Sequence, residues 1–102
     1  MTRLGRPFDF SARDELLRNP ENAAVYLEEI LESGNMELFQ EALRNVAKAQ
    51  EGGVKGVAAK ANLNRENIYD AFSATGKPKM ETVTKMMAAL GLRLAVVPVT
   101  QR

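Results

Sequence analysis

The sequence predicts a mainly α fold: five helices built around a helix-turn-helix, followed by a short C-terminal β-strand paired in a dimer. Three observations carry that expectation. Apolar residues recur at three- and four-residue spacing through Ala23–Leu31 and again through Met36–Ala47, the period of a helix with one buried stripe. The stretch Val54–Leu90 then reads as a short helix, a tight turn, a second short helix, a loop and a third helix. Beyond Gly91, the run LRLAVVPV is rich in Leu and Val, as a strand would be.

At 102 residues the chain has the length of one domain with a modest core. Apolar residues at 45% and charged residues at 26% are the balance of a soluble globular protein. No apolar run approaches the ~20 residues that span a bilayer. The start, MTRLGRPFDFSARDE, lacks the apolar core of a secretory signal. The sequence contains no Cys and no His, which excludes disulfides, thiolate metal sites and the commonest acid–base residue. The expectation is a cytoplasmic protein with no cofactor or metal, and not an enzyme.

Net charge is only +1, but it is unevenly divided. Residues 1–43 hold four basic and nine acidic residues, whereas residues 44–102 hold ten basic and four acidic. Such asymmetry suits an anionic partner for the second half and a cationic one for the first. Two ordinary solvated faces are the alternative.

Taken in order, residues 1–18 are polar, without a sustained helical stripe, and are expected to form an arm. In it, Pro7, Phe8 and Phe10 can dock on the body or on a partner. A single domain then occupies 19–102, with an acidic helical half at 19–50, a helix-turn-helix at 54–72, a helix at 79–90 and a strand at 92–99. Asn19-Pro20 starts the first helix, with Asn as N-cap and Pro at the first helical position. It turns Ala23, Tyr26, Leu27, Ile30 and Leu31 inward, leaves Glu28, Glu29 and Glu32 outside, and stops at Ser33-Gly34. Asn35 caps a second helix to about Gln50, burying Met36, Phe39, Leu43, Val46 and Ala47. From Asn19 to Glu41 there are six Glu and neither Lys nor Arg. Gly52-Gly53 then breaks the chain.

Val54–Ala61 makes a short helix with Val57, Ala58 and Ala61 facing in. Asn62 sits where the turn needs positive φ, which Asn tolerates better than most residues. Leu63 plugs the angle between the helices, and Asn64 caps Arg65–Phe72, which buries Ile68, Ala71 and Phe72. After the loop Ser73–Pro78, a helix over Met80–Leu90 buries Val83, Met86, Met87 and Leu90 and ends at Gly91. A lone strand at Leu92–Val99 leaves its backbone groups unsatisfied, so it must pair. A second copy meeting it at Leu92, Leu94 and Val96 is the simplest partner, and Pro98 confines the pairing to an edge.

In a DNA-binding helix-turn-helix the second helix enters the major groove. With Ile68, Ala71 and Phe72 inward, Arg65, Glu66, Asn67, Tyr69 and Asp70 lie on the accessible side. Arg65 suits a bidentate bond to guanine and Asn67 one to adenine, while Glu66 can accept from cytosine. Phosphate contacts fall to Lys55, Lys60, Asn64, Lys77 and Lys79, with Lys48 and Lys85 as further candidates. Glu66 and Asp70 count against DNA and keep open a solvated helix face that reads nothing.

Three runs taken together, Phe8-Asp9, NRENIYDAFSATGKP at 64–78 and ALGLRL at 89–94, resemble the HigA-like addiction-module antidote proteins. These are antitoxins of the Xre-type, lambda-repressor-like helix-turn-helix class. The similarity covers about Phe8–Pro98. Asn62 stands where that family usually has Gly, Asn64 where it often has Ser, and Met80–Thr82 replaces a segment that more commonly holds an aromatic residue. The first two departures are physically conservative, and the third bears on packing. The resemblance implies a type II toxin–antitoxin role. Such a protein binds and neutralises a small basic RelE/ParE-like (HigB-type) toxin by covering its RNA-facing surface or holding it off the ribosome. It also represses its own operon, as a homodimer on palindromic operator DNA. Phe8, Phe10, Glu28, Glu29 and Glu32 are the candidate toxin contacts. The alternatives are a stand-alone prophage-type repressor without a toxin and a protein-interaction module that has lost DNA binding.

Overall fold

The computed structural model describes residues 10–72 and 76–99. They form six helices: α1 (Phe10–Arg18), α2 (Pro20–Glu32), α3 (Met36–Ala49), α4 (Gly53–Ala61), α5 (Arg65–Phe72) and α6 (Met80–Ala89). Helix α3 is central, with α1, α2, α4 and α5 all packed on it, and α6 closes over α4 and α5.

Side-chain capping sets the starts of α2 and α3. Asn19 Oδ1 accepts from the Glu21 N–H at 2.8 Å, with Pro20 occupying the first helical turn, where a missing N–H costs nothing. Asn35 Oδ1 accepts from the Leu38 N–H at 3.0 Å. Each bond satisfies a donor that the helix leaves open at its first turn, worth about 1 kcal/mol.

The core runs through α3, where Ala42, Leu43, Val46, Ala47 and Ala49 are all at most 1% exposed. Met86 and Met87 of α6, Leu27 of α2 and Ala71 of α5 pack against them. The stripes expected for α4 and α6 are buried as expected, apart from half-buried Val83. Ala42, Ala49 and Thr82 are buried without having been expected to be. Met36 and Leu31, expected inside, are 53% and 39% exposed; Met36 is the first residue of α3 and Leu31 lies in the last turn of α2, where fewer neighbours cover a side chain.

Two expectations are corrected. The arm placed at residues 1–18 is helical from Phe10 to Arg18. Of the side chains described in α1, Leu17 alone is buried, so no stripe is visible in the sequence. The helix is held instead by distant groups: Gln50 Nε2 donates to the Leu17 carbonyl at 3.1 Å, and Arg18 Nε donates to the Ala49 carbonyl. The second correction concerns Leu92–Val99, where no strand forms. A ladder needs a second segment, and among the described residues none pairs with it. The chain leaves α6 through a Leu92 N–H to Met87 carbonyl bond of 2.8 Å, and Leu92 and Leu94 pack onto the core as partly buried residues.

Truncating Leu43 to Ala removes a side chain 1% exposed from the helix on which the others converge. Urea denaturation is expected to show a loss of about 2–5 kcal/mol. A loss under ~1 kcal/mol would mean that α3 is not the centre of the core.

Candidate nucleic-acid interface

Helices α4 and α5 are joined by three residues, Asn62, Leu63 and Asn64. At the end of α4 the Asn62 N–H donates to the Ala59 carbonyl at 3.1 Å and the Leu63 N–H to the Ala58 carbonyl at 3.0 Å. That pair of bonds is the Schellman motif, with Asn62 in the left-handed position at φ 59° and ψ 46°. Asn takes the conformation that Gly adopts most easily. Leu63 then turns back as a partly buried residue against the core. The chain is thereby redirected at once, and Asn64 Oδ1 accepts from the Asn67 N–H at 2.8 Å to open α5.

Both helices of the pair rest on the same two neighbours, α3 and α6. The far end of α5 is fastened by Gln40 of α3, whose Nε2 donates to the Asp70 carbonyl at 3.2 Å and to the Gly76 carbonyl at 2.8 Å. Gly76 lies so close that an added Cβ would press on the Asp70 carbonyl and come within 2.7 Å of the Asp70 Cα. Only Gly fits there without moving backbone. Gln40 is a tether that the sequence did not reveal, because its partners lie 30 or more positions away.

On α5, Glu66 and Tyr69 are exposed, Tyr69 by 61%. Asn67 and Asp70, expected on the open side, are half-buried. Arg65 begins the helix, and its side chain lies outside the described residues. Lys55, Asn64, Lys77 and Lys79 are exposed around the pair.

Lys60 is exposed too, five positions and about 140° around the helix from Lys55. Lys60 lines a cleft of about 600 Å³ with Arg18, Lys85 and the end of α6. Lys85 is spoken for in part by Glu81 at 3.4 Å, the one ion pair among the described residues. Arg44, not singled out in the sequence, has a buried Nε with no hydrogen-bond partner.

Glu28, Glu29 and Glu32 are exposed on α2, whose packing partners are α1 and α3. Phe8 lies outside the described residues, as does the side chain of Phe10. Of the expected dimer contacts, Leu92 and Leu94 are partly used within the chain, while Val96 is wholly exposed. Among the described residues no acidic cluster could hold a metal ion, and no helix is long and apolar enough to cross a membrane.

The sequence model of a family described as "probable addiction module antidote protein" matches residues 6–98. An uncharacterised protein of Haemophilus influenzae is 38% identical over 96 residues, covering 94% of each chain. No solved structure matches.

The turn makes two stability predictions, both read by denaturant unfolding. Asn64→Ala should cost about 1 kcal/mol through loss of the cap. Asn62→Val should cost about 1–2 kcal/mol, while Asn62→Gly leaves stability level or slightly higher. Equal tolerance of Val and Gly would contradict the left-handed turn.

Proposed function

The chain belongs to the family of probable addiction module antidote proteins, and from that premise we propose that it is the antitoxin of a type II toxin–antitoxin pair. It binds and neutralises a small basic toxin of the RelE/ParE-like, HigB type, and as a homodimer it represses its own operon. It performs no catalysis of its own. An antidote implies a toxin, so the family itself supports the first partner. The observation that supports the second is the α4–α5 turn. A Schellman stop at Asn62 and an Asn64 cap join two short helices through three residues, a connection of the length a helix-turn-helix uses, and this supports the reading.

In this reading α5 lies in the major groove of operator DNA. Arg65 bonds guanine, and Asn67 and Glu66 read neighbouring base edges. Tyr69 and Asp70 lie further along the same helix. Lys55, Lys77 and Lys79, with Asn64, hold the phosphates and set the register. Lys60, which lines the cleft with Arg18 and Lys85, is a further cation at the end of α4. Two protomers place their reading helices about 34 Å apart, one turn of a palindromic operator. Glu66 and Asp70 favour one rival reading, a module that binds a protein and no longer reads DNA. A chain that binds the toxin but shifts no promoter fragment at low salt would decide for that rival.

Mobility shifts on the DNA upstream of its own gene test the proposal. Three lysines per protomer make six phosphate contacts in a dimer, so affinity should fall about 10³-fold between 50 and 200 mM salt. Lys77→Ala should lower the salt slope by about 2 per dimer. Arg65→Ala should cost about 1–3 kcal/mol per half-site and relax sequence preference. Unchanged affinity and preference would remove Arg65 from its role.

A further inference from the structure

The first half of the chain carries a groove that the DNA reading does not use. Its volume is about 460 Å³, and it lies between α2, α3 and the C-terminal segment 92–97. The floor is Leu27, Phe39 and Met87, each at most 7% exposed. One wall is α2, where Glu28, Leu31 and Glu32 face the opening, and the other is the segment itself. Leu92 and Leu94 pin that segment to the core, and from Ala95 onward its side chains are exposed, with Val97 still lining the groove. Val96 is 100% exposed, Val97 73% and Val99 79%. Among the described residues, no backbone group of Arg93–Val99 is hydrogen-bonded.

Exposed apolar side chains beside an apolar groove mark a surface fit to be covered. The rim charge says by what. Its acidic wall belongs to a stretch, Asn19–Glu41, with six Glu and no Lys or Arg, and Arg93 is the one cation lining the groove. A second copy using the same patch would set two acidic rims against each other, which like-charge repulsion opposes.

We propose that this groove is where the toxin docks: a basic, amphipathic segment of the toxin lays its apolar side chains on Leu27, Leu31 and Val97 and its cations on Glu28 and Glu32. The inference rests on the antitoxin reading above and adds the surface and the chemistry of the segment it takes. Glu29, on the same helix, does not line the groove and is not needed. No residue of α4 or α5 lines the groove, so filling it does not use the face assigned to DNA.

The test uses the full chain and the basic product of the reading frame beside its gene, with affinity measured by calorimetry. Two variants at exposed positions, Glu28→Lys/Glu32→Lys and Val97→Asp, should each weaken binding at least tenfold. Their melting temperature should match the unaltered chain, and Val97→Asp should still shift operator DNA. If the unaltered chain does not bind that product, the antitoxin reading falls and this inference with it. If it binds and both variants bind equally well, the groove alone is overturned. The inference is also overturned if Val97→Asp turns a dimer into a monomer in sedimentation while toxin binding is unchanged. A second copy is then the occupant.

Discussion

Helix α3 is the one element on which α1, α2, α4 and α5 all pack, and the rest of the structure depends on the burial of its face. Leu43 and Val46 supply the volume, while Ala42, Ala47 and Ala49 keep the surface low enough for neighbouring helices to come close. Each large side chain contributes about 1.5–3 kcal/mol by leaving water. Burial alone has no direction, and here two neutral amides supply it. Gln40, near the start of the helix, holds the end of α5 and the loop at Gly76, and Gln50, at its end, holds the end of α1. A hydrogen-bonded amide costs little to bury, whereas a charge in either place would need a partner.

The same helix separates two surfaces of opposite character. On one side stands α2, acidic along its outer face, with the groove it shares with the C-terminal segment. On the other stands the α4–α5 pair, flanked by exposed lysines. Charge segregation within one small domain opposes folding little when the two signs lie apart on the surface and are screened by salt. It does give each surface a long-range preference for its own class of partner before any contact is made.

Much of this was legible in the sequence wherever a signal is local. Asn19-Pro20, Asn35, Asn62 and Asn64 each mark a helix end through a bond that spans two to five residues, and each does what its type and neighbours predict. Stripes of three or four turns, such as that of α3, were readable for the same reason. What escaped was everything decided by distant groups. Helix α1 is fastened from α3, over 30 positions away, and by itself shows too little apolar pattern to read. The segment after Gly91 has the composition of a strand, but composition does not supply a second strand to pair with. Of the candidate interface, the turn and the cap were foreseen, while the Gln40 tether and the half-burial of Asn67 and Asp70 were not.

The way α1 is attached gives the molecule an order of opening. A helix whose described side chains bury Leu17 alone, and which three side-chain-to-carbonyl bonds tie down, can detach at a fraction of the free energy needed to unseat α3. Its release bares the carbonyls of Leu17 and Ala49 to water, which can bond them, and leaves the α3, α4 and α6 packing in place. Helix α1 can therefore open as a local unit while the α4–α5 pair keeps its seat on α3 and α6.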